Sequence, residues 1–331
     1  MIADDTLLLS RGEVARLLGV QACIDAVENV FRLQGEGKVP APGILGIKAP
    51  HGGLHVKAGL LPGEKSYIVA KINSNFPQNR PLHDLPTIQG LVVLYDGDNG
   101  RPLAVLDSID ITIKRTAAAS AVAAKYLARP HSSVATLCGC GQQAAAQLRA
   151  LRAILPLRKV FVFDLDTSAA EKFAAQLRDE LQLDIEPVRN LKSALQKSEV
   201  CITCTPATKF FVRKEEVAPG TFIAAVGADD SHKQEIDPAL MASAKVVADS
   251  LEQSCTIGDT HHAIEQGLMR KEEVYAELSE IVAGRKPGRT SAYEITVFDS
   301  TGIAIEDAVA AVAVYEKARN DQTAKRFDFA A

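Results

Sequence analysis

The sequence has no surplus of basic residues. Its 331 residues contain 37 Lys and Arg against 41 Asp and Glu, so the formal net charge is −4, and the two signs are mixed along the chain. A nucleic-acid-binding face or a polybasic membrane patch needs clustered positive charge. We therefore expect neither nucleic acid nor a membrane surface as a partner.

Long apolar runs are missing as well. Apolar residues make up 47% of the chain, yet no uninterrupted run approaches the roughly 20 residues that span a bilayer. The first five residues, Met1 to Asp5, are acidic where a secretion signal would be basic. These features predict a globular cytoplasmic protein, and the length allows two domains of ordinary size.

The six cysteines and seven histidines lack the spacing of a metal site. Cys201 and Cys204 lie in a strand-like stretch, where residues three apart point to opposite faces. Cys138 and Cys140 flank a glycine and have no second pair at ligand spacing, so we interpret them as small apolar residues of a cytosolic core. The histidines at 261–262 are adjacent rather than four apart. The sequence therefore predicts no bound metal.

One segment carries a specific motif. Residues 134–144 form an apolar run that ends in Gly139-x-Gly141-x-x-Ala144, the pattern of a strand that turns sharply into a helix. Gly139 permits the tight turn, Gly141 leaves room for a pyrophosphate, and Ala144 lets the helix pack closely on the strand. The N–H groups at the start of that helix would meet the phosphates. The predicted cofactor-binding residues of the turn are Gly139, Gly141, Gln142, Gln143 and Ala144.

A carboxylate about twenty residues further on indicates which dinucleotide binds. Residues 159–164 read as a strand that ends in Asp164, where an acceptor for a ribose 2′-hydroxyl is required. Asp166 adds a second negative charge, and no arginine follows to receive a 2′-phosphate. The sequence therefore predicts that NAD (or NADH) binds here, with NADP disfavoured.

The order of strand-like and helix-like segments predicts an α/β fold. In the first part, successive strands are joined by short turns, including one at 77–81, which indicates a mixed or antiparallel sheet. Residues 35–53 read as connecting structure or short edge strands. From Val134 onward strands and helices alternate, which indicates a doubly wound parallel sheet of the Rossmann type. The strands predicted in the first part are 55–61, 67–76, 87–95 and 102–106.

These elements divide the chain into two predicted domains. Residues 116–302 form the NAD-binding Rossmann domain. Residues 1–115 form an α+β domain for substrate binding and dimerisation, and the C-terminal segment 303–331, with a helix from Ala304 to Lys317, returns to it.

Two lysines lie in strands of the first domain. Lys71 is surrounded by apolar residues, and alternation places it on the face opposite Ala70 and Ile72. It is either a functional group directed to the interior or a lysine that extends from an edge strand into solvent. Lys57 is a similar case with the same two interpretations.

Two further charged residues lie where a ligand would meet them. Arg115 opens an alanine-rich helix, and a guanidinium there suits bidentate binding of a carboxylate. Asp229 follows Val226-Gly-Ala at the end of a predicted strand of the nucleotide domain. Ligands bind beyond the carboxyl ends of such strands, so Asp229 would face the nicotinamide end of the cofactor.

Several short motifs follow one another along the chain. They are Lys71 with Asn75-Phe-Pro-x-Asn79, Leu85-Pro-Thr87 with Asp96 and Gly100, Arg115-Thr-Ala-Ala-Ala-Ser120, Gly139-Cys-Gly-Gln-Gln-Ala144, Val226-Gly-Ala-Asp229 with Lys233-Gln-Glu235, and Phe298-Asp-Ser-Thr-Gly302 with Asp307. In this order they resemble the ornithine cyclodeaminase and mu-crystallin family over nearly the whole chain. That family includes ornithine and lysine cyclodeaminases, an archaeal type of alanine dehydrogenase, imino-acid reductases and hormone-binding mu-crystallins, typically as dimers joined through the non-nucleotide domain.

The resemblance implies roles for individual residues. Lys71 and Arg115 would bind the substrate carboxylate, and Lys71 and Asp229 would assist proton transfer during hydride transfer between a nicotinamide and a C=N carbon. Lys71, Arg115 and Asp229 are therefore the predicted catalytic residues. The predicted cofactor-binding residues outside the glycine turn are Asp164, Thr116, Thr205, Gly227, Ser300 and Gly302.

The chain departs from the family pattern at two places. Many members carry an arginine soon after the second helix, but Pro40 to Leu45 contains none. Lys57 lies in the strand where ornithine cyclodeaminases place an acidic residue. It would repel the distal ammonium of ornithine, and it is a candidate replacement for the missing cation, suited to a second carboxylate or a short side chain.

We therefore expect an NAD(H)-dependent homodimeric enzyme that reduces a small imino acid or oxidatively deaminates a small amino acid. Alanine, aspartate through iminosuccinate, and a pyrroline carboxylate are the substrates considered. Two alternatives stay open: an ornithine cyclodeaminase that uses NAD catalytically, and a non-catalytic binding protein of the mu-crystallin kind.

Overall fold

The computed structural model describes residues 5–329, and the chain divides into two compact units. The first is formed by the residues up to Arg115 together with those from Ile303 onward, and the second by Thr116 to Gly302. Between residues 5 and 329, no helix is long and apolar enough to cross a membrane.

A seven-stranded mixed sheet forms the first unit, in agreement with the predicted mixed sheet. Its order is β17-β1-β6-β5-β4-β3-β2, and all neighbours are antiparallel except β1 and β6, which are parallel. The sequence predicted neither the first strand nor the last, whereas β2 is one of the edge strands expected within residues 35–53. The strands are β1 (Thr6–Leu9), β2 (Gly43–Ala49), β3 (Gly52–Leu61), β4 (Tyr67–Asn75), β5 (Ile88–Asp96), β6 (Pro102–Asp107) and β17 (Lys325–Phe327).

Helices cover one face of this sheet. A capping contact begins the first helix, because the Ser10 N–H donates to Glu13 Oε2 at 2.8 Å. The last helix packs against α2 and against strands β3 and β4. The helices are α1 (Arg11–Leu17), α2 (Val20–Gly35), α3 (Asn79–His83), α4 (Ile109–Leu127), whose later part belongs to the second unit, and α12 (Ala304–Ala318).

The predicted turn at 77–81 is wrong, because this segment contains helix α3. Pro81 falls in the first turn of that helix, where its missing N–H has no intrahelical partner to lose. The helix ends at Asp84, which adopts a left-handed conformation with φ +53°. Proline therefore marks a helix start here.

An eight-stranded sheet forms the second unit, and every pair of neighbours in it is parallel, as predicted for a doubly wound fold. Its order is β15-β14-β16-β12-β10-β7-β8-β9. The strands are β7 (Val134–Cys138), β8 (Lys159–Phe163), β9 (Asp184–Pro187), β10 (Val200–Thr203), β12 (Phe222–Ala225), β14 (Lys245–Ala248), β15 (Ala276–Glu277) and β16 (Thr296–Asp299). Strand order reverses between β7 and β10, so the ligand crevice of such a sheet opens there.

Short helices and a small two-stranded sheet complete the second unit. The parallel pair β11 (Thr208–Val212) and β13 (Gln234–Ile236) was not predicted. The helices are α5 (Gln142–Ile154), α6 (Thr167–Leu181), α7 (Leu191–Leu195), α8 (Pro238–Met241), α9 (Leu251–Ile257), α10 (Asp259–Glu265) and α11 (Leu278–Val282), with 3₁₀ turns at Lys214–Glu216 and Lys271–Glu273.

The central strands of the second unit are buried on both faces. All four residues of β10, of β12 and of β16 are buried. Continuous apolar strands of this kind are typical of parallel sheets covered by helices on both sides. Phe222 and Phe298 are the largest fully buried side chains among them.

We predict that Phe298→Ala destabilises the protein by about 3–5 kcal/mol, because it removes a buried aromatic ring and leaves a cavity. Leu165→Ala is the matched control, since the Leu165 side chain is 94% exposed and its loss should change stability by less than about 0.5 kcal/mol. Equilibrium unfolding in urea measures both. Equal stabilities of the two variants would contradict the assigned core.

Candidate functional site

The glycine turn after β7 has the geometry that its sequence motif predicts. Gly139 adopts φ +94°, and a Cβ on it would lie 3.0 Å from the Cys204 carbonyl oxygen, so only glycine fits without strain. No described atom lies within 4 Å of a Cβ built at Gly141, which leaves space next to the first turn of α5. Ala144 is buried in α5, whereas Gln142 is exposed and Gln143 is half-buried at the start of that helix.

Asp164 stabilises the same turn from the end of β8. Its Oδ2 accepts the Cys140 N–H at 2.9 Å, and its Oδ1 accepts the Asp166 N–H at 3.0 Å. The carboxylate therefore lies beside the glycine turn. Burial raises the pKa of the Cys140 thiol to about 12, with a further contribution from the charge of Asp164. That thiol is accordingly not a reactive group at neutral pH.

Thr205 and Gly227 meet at a buried carboxylate. Glu235 Oε1 accepts the Thr205 N–H at 2.6 Å and its hydroxyl at 2.7 Å, and Oε2 accepts the Gly227 N–H at 2.8 Å. A Cβ on Gly227 would clash with the Thr205 backbone carbonyl oxygen and would lie 2.5 Å from the carboxyl carbon of Glu235, so the residue there must be glycine. Burial raises the pKa of Glu235, and the hydrogen bonds from Thr205 and Gly227 oppose this rise. Glu235 thus links the segments that follow β10 and β12.

A second buried carboxylate determines the conformation of the segment after β16. Asp249 Oδ2 accepts the N–H groups of Thr301 and Gly302 at 2.7 and 2.6 Å, and Oδ1 accepts the Thr301 hydroxyl at 2.9 Å. The Ser300 hydroxyl lies 3.5 Å from Oδ2. Burial raises the pKa of Asp249 to about 6. Ser300 and Gly302 are therefore positioned by an acid that the sequence reading missed.

Two more buried acids connect these segments with α10. Asp259 Oδ1 accepts the N–H groups of Glu235 and Ile236 at 2.8 and 3.0 Å. Asp299 Oδ2 accepts the hydroxyl of Ser254 at 2.5 Å and that of Thr260 at 2.6 Å. Asp249 and Asp299 directly follow or end apolar strands, which is the sequence signal that could have identified them.

In the first unit, Lys71 and Arg115 share the carboxylate of Asp307 on α12, and Arg115 also pairs with Glu306. Lys71 Nζ lies 2.6 Å from Asp307 Oδ2, and Arg115 donates through Nε to Asp307 Oδ1 at 2.8 Å and through Nη1 to Glu306 Oε2 at 2.7 Å. All four side chains are buried. Because β4 lies between β3 and β5, the alternative of a lysine that extends from an edge strand into solvent is wrong for Lys71.

Lys71, Arg115 and Asp307 are charged at neutral pH. Burial lowers the pKa of Lys71 to about 8, although the charge of Asp307 opposes this shift. Burial alone would raise the pKa of Asp307, but the charges of Arg115 and Lys71 hold it below its usual value. Burial would also lower the pKa of Arg115, yet Asp307 and Glu306 raise it above the usual range. Lys71 is thus an ammonium whose proton is more weakly bound than that of an ordinary lysine.

Lys57 adds a third cation on the same side of the sheet. It is half-buried on β3 and lies directly opposite Lys71 on β4, and paired residues of neighbouring strands point to the same face. Its charge lowers the pKa values of both Lys71 and Asp307, which shows that it lies near them. Lys57, Lys71 and Arg115 thus bring three cationic side chains close to the carboxyl groups of Glu306 and Asp307.

The other predicted residues lie in the second unit. Strand β12 ends at Ala225, so Asp229 lies in the following loop rather than at a strand end; it is exposed and forms an ion pair with Lys233 at 2.5 Å. Thr116 is buried, and its carbonyl accepts the Ser120 hydroxyl at 3.3 Å.

Known proteins resemble this chain in sequence and in structure over nearly its whole length. Alanine dehydrogenase of Archaeoglobus fulgidus is 38% identical over 326 residues, which cover 98% of this chain and 99% of the relative. A solved archaeal alanine dehydrogenase dimer with bound NAD superimposes with a TM-score of 0.93 at 38% identity, covering 98% of this chain and 99% of the other. Iminosuccinate reductase of Paracoccus denitrificans, solved in complex with NAD⁺, gives a TM-score of 0.90 at 33% identity, with 98% and 99% covered.

The family model for ornithine cyclodeaminase and mu-crystallin matches residues 4–322. This range includes the glycine turn, the carboxylates at the strand ends and the buried ion cluster of the first unit. The chain therefore belongs to the ornithine cyclodeaminase/mu-crystallin family.

Proposed function

We propose that this protein is an NAD(H)-dependent oxidoreductase that reduces a small imino acid, or in the reverse direction deaminates the corresponding amino acid. The observation that carries the proposal is the buried cluster of Lys71, Arg115, Glu306 and Asp307 with Lys57 beside it, which places three cationic side chains close together. Such a site favours an anion, and the carboxylate of an imino acid is one. Relatives named alanine dehydrogenase and iminosuccinate reductase act on substrates of this kind.

The second unit suits a dinucleotide. The N–H groups at the start of α5 and the space at Gly141 fit a pyrophosphate, and Asp164 fits a ribose 2′-hydroxyl. Structures of relatives contain NAD or NAD⁺. When bound, the nicotinamide supplies or accepts a hydride at the C=N carbon. Thr116, Thr205, Gly227, Ser300 and Gly302 are the further residues that we propose near the cofactor.

The chain's own residues would orient the substrate and move protons. We propose that Arg115, Lys71 and Lys57 bind the carboxylate, because three ammonium or guanidinium groups on one side of the sheet can fix its position. Lys71, with a pKa of about 8, is protonated at neutral pH and yields its proton more readily than an ordinary lysine. It is therefore suited to general-acid catalysis. Asp229, an exposed carboxylate, is proposed to assist at the substrate nitrogen.

We expect NADH oxidation when the protein is given imino acids, including a preformed pyrroline carboxylate and 2-oxo acids with ammonia. The rate should fall as pH rises through about 8 because Lys71 then loses its proton. Lys71→Met should lower kcat by about 100-fold or more, and Lys71→Arg, which keeps the charge but cannot give up its proton, should also lower kcat and abolish the decline near pH 8. Lys48→Met, in the exposed strand β2, is the matched control.

Other results would overturn this proposal in distinguishable ways. Proline and ammonia from ornithine without accumulated NADH would indicate a cyclodeaminase. Nucleotide binding without turnover of any substrate would indicate a non-catalytic binding protein. A pH profile that is the same for the wild type and Lys71→Arg would remove Lys71 from the proton-transfer step.

The choice of NADH over NADPH is tested at Asp164. Loss of a charge-assisted hydrogen bond typically costs about 1.5–3 kcal/mol, so Asp164→Ser should weaken NADH binding roughly 10- to 100-fold and leave NADPH binding unchanged or improved. Fluorescence titration measures both constants. Asp179→Ala, an exposed acid on α6, should bind both cofactors as the wild type does. A wild type that prefers NADPH would contradict the role of Asp164.

We also propose that two copies of the chain associate through the outer face of the first unit's sheet. The row Leu45, Val56, Ile72 and Leu91 runs across four strands on the face opposite Lys71. Leu45 is 56% exposed and Leu91 is 50% exposed. Exposed apolar patches of this kind mark interfaces, and one archaeal relative is a dimer.

Sedimentation equilibrium should therefore find a dimer for the wild type and a monomer for the double variant Leu45→Glu/Leu91→Glu, because two carboxylates would be buried without partners in each copy. Leu165→Glu, at a leucine that is 94% exposed in the second unit, should remain dimeric. A dimeric double variant would show that association uses another surface.

A further inference from the structure

Helix α10 carries a compact set of metal-ligating side chains that the proposed function does not use. His261, His262 and Glu265 each offer one ligand atom, and these atoms lie within 4.8 Å of one another. His261 Nε2 is 3.7 Å from Glu265 Oε2, and the two imidazole rings have centroids 4.1 Å apart. Two imidazole nitrogens with one carboxylate oxygen are a ligand set of open zinc sites.

The hydrogen bonds of the two histidines determine which nitrogens are available. His262 Nε2 lies 2.8 Å from the Lys233 carbonyl oxygen. A carbonyl can only accept, so Nε2 carries the proton and Nδ1 retains its lone pair. Metal-binding histidines generally donate their second N–H to such an acceptor, which fixes the ring. His261 Nδ1 is buried and has no hydrogen-bond partner among the described residues, so its Nε2, beside Glu265, is the nitrogen available to a ligand.

The first turn of α10 is fixed, so the ligands have a rigid base. Asp259 accepts two backbone N–H groups of β13, and Thr260 donates to Asp299 through both its N–H and its hydroxyl. All these groups are buried. Rigid support of this kind lowers the cost of holding ligands in a coordinating geometry.

We propose that His261 Nε2, His262 Nδ1 and Glu265 bind one divalent transition-metal ion of the zinc type, with water completing its coordination. Adjacent residues on a helix point about 100° apart, which is why the sequence predicted no metal here; the stacked rings and the i,i+4 position of Glu265 bring the ligand atoms together nonetheless. Because His262 also bonds the Lys233 carbonyl, and Lys233 pairs with Asp229, a bound ion would also stabilise the segment that carries Asp229.

The test is Zn²⁺ titration of the chelator-treated full-length protein against a chromogenic chelator, with excess Mg²⁺ present. We expect one Zn²⁺ per chain at micromolar protein and a higher Tm with Zn²⁺. Glu265→Gln and His262→Gln should each weaken binding at least tenfold and remove the Tm shift. Glu265 is 73% exposed, so its replacement leaves the fold intact. His232→Gln, an exposed histidine of the preceding loop, is the control and should bind as the wild type does.

Three results would overturn the proposal: no Zn²⁺ bound at micromolar protein, wild-type affinity in both ligand variants, or equal weakening in His232→Gln. The readout is metal binding and Tm rather than turnover. Failure of the metal site therefore leaves the proposed oxidoreductase activity untouched, and the reverse also holds.

Discussion

The ion cluster between β4 and α12 is the electrostatic constraint that the first unit has to satisfy. Lys71 and Arg115 are only 6% and 4% exposed, and removing such charges from water is expensive unless they are paired. Glu306 and Asp307 compensate them from the first helical turn of α12. Because apolar residues often replace buried ion clusters without loss of stability, the fold alone gives little reason for this cluster. The proposed binding of a substrate carboxylate would provide such a reason.

The second unit also buries ionisable side chains, but these are acids rather than bases. Its buried acids Glu235, Asp249, Asp259 and Asp299 are compensated mainly by backbone N–H groups and hydroxyls rather than by side-chain cations. Each hydrogen bond to a carboxylate also fixes the backbone that donates it. The segments after β10, β12, β14 and β16 are therefore held in place at the edge of the sheet where a ligand binds. The hydrogen bonds to these acids thus fix four loops at one edge of the sheet.

Much of this arrangement was readable from the sequence because it depends on local patterns. Three features are each visible within a few consecutive residues: the strand alternation around Lys71, the glycine turn at Gly139 and the acid at Asp164. The edge strand β17 was not predicted for a physical reason: all of its residues are exposed, so it shows no alternation of polar and apolar residues. Ion pairs between residues far apart in the chain were not predicted either, because no local pattern connects them. Arg115 and Asp307, for example, are 192 residues apart.

Lys57 connects this electrostatic pattern with the choice of substrate. Two lysines directly opposite on neighbouring strands repel each other. A substrate carboxylate would reduce that repulsion, whereas the second ammonium of ornithine would increase it. If the proposed role of the cluster is correct, its charge favours imino acids with an uncharged or acidic side chain over diamino acids. A short, neutral substrate leaves Lys57 to share the one carboxylate with Lys71 and Arg115, and a dicarboxylate gives it a partner of its own.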